Sequence, residues 1–82
     1  MITVLFFAKY KEELQTERLQ LDWQPDWRTL GDVRDHLAMR GAPWTILEDS
    51  TLMCALNEEM CSLNTPVKAD DEVAFFPMVT GG

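Results

Sequence analysis

Ile2-Thr3-Val4-Leu5-Phe6-Phe7-Ala8 opens the chain with a run of β-branched and aromatic residues. Side chains alternate between the faces of a strand, so Ile2, Val4 and Phe6 share one face while Thr3, Leu5 and Phe7 share the other. Residues 2–8 read as a strand that is apolar on both sides. Val73-Ala74-Phe75-Phe76 repeats this two-sided character near the other end and reads as the last strand, stopped by Pro77.

Working outward from these runs, Lys9 to Gln15 is a charged turn in which Tyr10 to Leu14 can form a short helical turn. Leu19, Leu21 and Trp23 then recur with a period of two, predicting a second strand that pairs with the first as a hairpin. Pro25 and Asp26 end it. Thr29 followed by Asp32 is an N-cap with an acid in the first turn, and Leu30, Val33 and Leu37 share one face of a helix predicted over residues 30–40. Gly31 costs that helix about 1 kcal/mol relative to alanine. Gly41 and Pro43 end it. Leu52 to Leu56 and Glu59 to Leu63 are short strands around an Asn57-Glu58 turn, which would oppose Leu56 to Glu59, Ala55 to Met60 and Cys54 to Cys61.

Strand, strand, helix, two short strands and a final strand is the order of an α+β domain of the β-grasp or ubiquitin-like class, a mixed sheet wrapped around one main helix. Residues 1–77 are expected to form the domain and residues 78–82 a flexible tail. A chain of 82 residues has no room for a second core, and little interior to enclose a private cavity. Function is therefore expected on a surface or at a terminus.

Fourteen acidic against seven basic residues give a net charge of −7. Lys and Arg dominate binding to phosphate backbones, and here they are scattered, so nucleic acid and acidic membrane surfaces are poor partners. A protein with a basic surface suits the charge better. The apolar opening is far short of the roughly 20 residues that span a bilayer and lacks a basic leader, which predicts a cytoplasmic protein.

Conventional catalysis finds little support. The single histidine, His36, lies on the charged side of the helix, and Ser50 and Ser62 have no glycine elbow. Cys54 and Cys61 are too few for a zinc site, so no metal is expected. Their cross-strand position is of the wider, hydrogen-bonded kind, a less usual place for a disulfide, and two packed free thiols are predicted. If the helix covers Ile2, Val4, Phe6, Ala74 and Phe76, then Leu5, Phe7, Val73 and Phe75 form an apolar patch on the other face, a candidate partner surface. The end of the chain is the remaining feature. Met78-Val79-Thr80-Gly81-Gly82 spans up to about 17 Å when extended, enough to carry a carboxylate into another protein's active site. Such a carboxylate needs activation, most directly as an acyl-adenylate, before sulfur transfer converts it to a thiocarboxylate.

Met1-Ile2-Thr3-Val4-Leu5-Phe6-Phe7-Ala8 at the start and Asp71-Glu72-Val73-Ala74-Phe75-Phe76-Pro77-Met78-Val79-Thr80-Gly81-Gly82 at the end resemble the MoaD family, the small subunit of molybdopterin synthase. The likeness runs over the whole chain, including the helix start at Thr29 and the Leu56-Asn57 turn. It implies a sulfur carrier, not an enzyme on its own, whose terminal Gly82 is adenylated by a ubiquitin-activating-type enzyme (MoeB) using ATP and then thiocarboxylated with sulfur from a donor protein. It implies no permanently bound cofactor. The large subunit (MoaE) would supply the catalytic pocket, receive Gly81 and Gly82 with Pro77, Met78, Val79 and Thr80, and contact Phe7, Met60 and Phe75. Two carriers and two large subunits would form a heterotetramer that builds the molybdopterin dithiolene from cyclic pyranopterin monophosphate. The family often has Asp-Gly-Asp-Glu and Pro-Pro where this chain has Ala69-Asp70-Asp71-Glu72 and Pro77-Met78. Rival readings are a sulfur carrier for the thiazole of thiamine and a β-grasp binding module or modifier whose tail never carries sulfur.

Overall fold

The computed structural model describes residues 1–78. Strands β1 (Ile2–Phe6), β2 (Arg18–Leu21), β3 (Leu52–Leu56), β4 (Glu59–Cys61) and β5 (Glu72–Pro77) form one sheet in the order β2-β1-β5-β3-β4. Helix α1 (Ala8–Leu14) follows β1, helix α2 (Leu30–Ala38) follows β2, and a 3-10 helix (Trp44–Glu48) precedes β3. The β1–β2, β3–β4 and β3–β5 pairs are antiparallel, and β1–β5 is parallel. This is the mixed sheet of the expected α+β class, with the first and last strands side by side at its centre.

The local chemistry explains each element. Asp32 accepts the backbone N–H groups of Arg28 (2.8 Å) and Thr29 (3.1 Å), closing a capping box that also holds its carboxyl below the usual range. Gly31 has a reason to be glycine. Its N–H donates to the Leu63 carbonyl at 2.9 Å, and an added Cβ would meet that oxygen at 3.3 Å. The Asn57-Glu58 turn works without glycine although both residues have positive φ (50° and 73°). Asn57 is pinned to β5, its Oδ1 accepting the Glu72 N–H at 2.9 Å and its Nδ2 donating to Asp71 at 3.1 Å.

Several boundaries differ from the sequence reading. β1 stops at Phe6, because Phe7 becomes the N-cap of α1 and Ala8 has φ 53°. β2 ends at Leu21, leaving Trp23 to stack edge-on against buried Trp27 (5.8 Å between centroids). α2 ends at Ala38 rather than Arg40, and β4 at Cys61 rather than Leu63. The 3-10 helix was not expected; Trp44 anchors it by packing edge-on against Phe6 at 5.8 Å.

The largest correction concerns β5. Its parallel register sets Val4 beside Val73 and Phe6 beside Phe75, and paired residues share a face. Val73 and Phe75 are therefore fully buried with Ile2, Val4 and Phe6, in one core with Leu30, Val33, Leu37, Tyr10 and Leu47. Ala74 and Phe76 point the other way, so the patch assigned to Phe75 belongs to Phe76.

At the end of the sheet where β5 finishes, one carboxylate ties three segments together. Asp49 Oδ1 accepts the Thr51 N–H and hydroxyl, each at 2.9 Å, while its Oδ2 accepts the Tyr10 hydroxyl (3.2 Å) and pairs with Lys9 Nζ (3.3 Å). The Thr51 N–H above all holds Asp49 down at about 2. Burial, then the Asp49 charge, pushes Tyr10 up to about 12.

Two expectations follow. Truncating Phe6 or Phe75 to alanine should cost about 3–5 kcal/mol in a urea titration, and Phe76→Ala distinctly less. Asp49 binds protons more weakly folded than unfolded (ordinary value 3.8), so its contribution is complete above that pH and fades as pH falls toward 2. Tyr10 works in the opposite sense: above about pH 10 the unfolded chain ionises first, and stability falls as pH rises toward 12. Denaturant midpoints across pH should flatten on the acid side in Asp49→Asn and on the alkaline side in Tyr10→Phe.

Candidate functional site

The sheet leaves one face without a helix. Counting from the register, that outer face carries Arg18 and Gln20 on β2, Thr3 and Leu5 on β1, Glu72, Ala74 and Phe76 on β5, Met53 and Ala55 on β3, and Met60 on β4. Polar residues occupy the half nearest β2. The half nearest β4 is apolar, with Met60 62% exposed, Phe76 and Met53 half-buried, and Phe7 extending the Thr3–Leu5 alternation at 46% exposure. Met60 and Phe7 are thus on the surface, as expected. Phe75 is not, and Phe76, Met53, Leu5 and Ala74 take its place.

β1 and β5 are parallel, so the chain leaves β5 at the same end of the sheet at which Phe7 emerges. Pro77 is the last residue of β5 and pairs with Leu52, and the Met78 N–H donates to the Thr51 carbonyl at 3.2 Å. That carbonyl belongs to the residue whose N–H and hydroxyl grip Asp49, so the Asp49 cluster fixes the point from which the tail departs. Met78 is 52% exposed. Val79, Thr80, Gly81 and Gly82 lie outside the described residues.

Other polar groups are accounted for by structure. His36 is exposed, with its ring edge-on to Trp27 at 5.1 Å. Cys54 and Cys61 are free thiols facing each other across β3 and β4 as anticipated. A groove of about 320 Å³ lined by Asp35, Ala38, Met39 and Glu48 brings together two carboxylates and no nucleophile. Among the described residues no three His, Cys, Asp or Glu side chains cluster as a metal site would need. No described helix is long and apolar enough to cross a membrane. What the geometry can do is present an apolar face beside a departing chain end, and it offers no enclosed pocket for turnover.

Comparison with known proteins agrees with that arrangement. The chain matches the ThiS family over residues 4–82. It is 43% identical to the molybdopterin synthase sulfur carrier subunit of Haemophilus influenzae and 41% identical to that of Escherichia coli K12, over all of each chain. Its fold superposes on the small archaeal modifier protein SAMP1 of Haloferax volcanii (TM-score 0.76, 26% identity, 99% of this chain and 98% of that one). It also superposes on a chain of the complex of subunits 1 and 2 of molybdopterin-converting factor from Helicobacter pylori (TM-score 0.65, 24% identity, 99% and 97%). Full-length identity above 40% with two carriers of one synthase, on a β-grasp frame whose last strand ends beside an apolar face, leaves a single assignment: the chain belongs to the ThiS family and, within it, to the sulfur carrier subunits of molybdopterin synthase.

Proposed function

We propose that this carrier works through its last residue. The Gly82 carboxylate attacks ATP within a ubiquitin-activating-type enzyme, forming an acyl-adenylate and releasing pyrophosphate. A sulfur donor protein then displaces AMP and leaves a thiocarboxylate. The large subunit receives the loaded tail and supplies the pocket in which sulfur passes to the pterin precursor, two carriers and two large subunits making the working complex. The carrier holds no cofactor, ATP being a substrate of its activating partner, and it acts in the cytoplasm.

The observation that carries this reading is the position of the tail root. Met78 is fastened to Thr51 at the apolar end of the outer face. A partner that covers Phe7, Phe76 and Met60 is therefore within reach of whatever follows Met78, five residues extending up to about 17 Å. Docking and delivery become parts of one encounter. Tail glycines suit a narrow channel, since they present no side chain to its walls.

Deleting Gly82 draws the reactive carbon back by roughly 3.5 Å, large against the sub-ångström placement that chemistry requires. With activating enzyme, ATP and a sulfur donor supplied, the intact chain should gain the mass difference between sulfur and oxygen and support molybdopterin formation. The shortened chain and Gly81→Val should fail while melting almost as the parent does. Normal synthesis by the shortened chain would overturn the thiocarboxylate mechanism and favour a passive binding module.

The face makes a separate expectation. Phe76→Ala and Phe7→Ala should each weaken binding to the large subunit by about 2–4 kcal/mol in calorimetry, the scale of an aromatic hot spot. Unchanged affinity in both would remove the outer face from the interface.

A further inference from the structure

The thiols of Cys54 and Cys61 play no part in that mechanism, yet they are the one pair of nucleophiles the described fold brings into contact. They are register partners on β3 and β4, with sulfurs 3.9 Å apart and the Cys54 thiol 3.3 Å from the Cys61 carbonyl. Opposed residues of this hydrogen-bonded kind have Cα atoms about 5.5 Å apart, inside the range that disulfides bridge. The sulfurs need only approach by about 1.9 Å to bond, a movement within reach of χ1 adjustments on a fixed backbone.

Access to the two is unequal. Cys54 is 2% exposed in the core, whereas Cys61 is half-buried on β4, an edge strand. Burial first, then the neighbouring Cys61, pushes the Cys54 thiol up to about 12, so Cys54 is a poor first nucleophile in water. A bond at Cys61 brings an electrophilic sulfur directly to it, where proximity offsets the low thiolate fraction.

We propose that Cys54 and Cys61 form a redox-closable dithiol in which Cys61 is the entry thiol and Cys54 the resolving one. The Cys61 thiolate attacks a small disulfide such as oxidised glutathione, forming a mixed disulfide and expelling one glutathione thiolate. Cys54 passes its proton to that thiolate or to water and attacks the Cys61 sulfur, forming the Cys54–Cys61 bond and expelling the second glutathione. Two protein thiols are oxidised and one glutathione disulfide is reduced. The bond ties three-residue β4 to β3, and so fixes the strand that holds Met60 on the outer face. This last consequence, a redox influence on docking, rests on the carrier reading; closure of the bond does not.

The test treats the folded chain with excess oxidised glutathione at neutral pH, then alkylates and weighs it. The native chain should lose two hydrogens, resist alkylation, and show β4 amides exchanging about tenfold more slowly. Cys54→Ser should stop at a stable glutathione adduct on Cys61, and Cys61→Ser should leave Cys54 free. A native chain that keeps the adduct, or stays fully alkylatable, overturns the proposal, as does Cys61→Ser reacting as fast as Cys54→Ser. Binding of the reduced chain to the large subunit, measured alongside, separates the two readings: failure to dock would count against the carrier interface, while the masses would still decide the dithiol.

Discussion

Parallel pairing of β1 with β5 is the constraint on which the rest of this structure depends. It joins the two ends of the chain, Val4 to Val73 and Phe6 to Phe75, and every other strand attaches to one of these two. Non-local parallel pairing carries a loop-closure cost that it must recover by burying side chains. The register does this by placing Ile2, Val4, Phe6, Val73 and Phe75 on a single face, all fully buried. Slipping β5 by one residue would send Phe75 into water and Phe76 into a core with no space shaped for it.

The same pairing sets the geometry of function. Two parallel strands finish at the same end, so Phe7 and Met78 emerge together, and the Asp49 carboxylate laces α1, the loop before β3 and the tail root into one rigid corner. Rigidity there matters because small angular freedom at the root grows along the tail. With α1, α2 and the 3-10 helix packed in the core, nothing in this small chain remains to cover the outer face. Its apolar half is then the part of the surface with most to gain from a partner.

Much of this was legible from residues alone. The strand runs at Ile2 and Val73, the Thr29–Asp32 cap, the Asn57-Glu58 turn and the opposition of Cys54 to Cys61 are local signals, and local chemistry decides them. The face of β5 was misread because Phe75 and Phe76 are identical and both flanks of the strand are apolar. Glu72 held the answer: a carboxylate belongs on the solvent side, and Ala74 and Phe76 share its parity, just as Leu5 and Phe7 share that of Thr3. The Asp49 cluster had no comparable signal, since Tyr10, Asp49, Thr51 and Met78 meet only after the sheet has formed. The 3-10 helix likewise depends on Trp44 finding Phe6.

An uncovered apolar face invites self-association, and the distribution of charge in this chain opposes it. Both edges of the sheet are short, four residues in β2 and three in β4, and bear Arg18 and Glu59, which discourages the addition of further strands. The net charge of −7 makes two free copies repel at long range, while a partner with a basic surface is drawn in by the same field. Edge, face and charge thus divide the work: the edges exclude strand-to-strand contact, the charge selects against a second copy, and the apolar half beside Met78 is left for a complementary surface that can also take the tail.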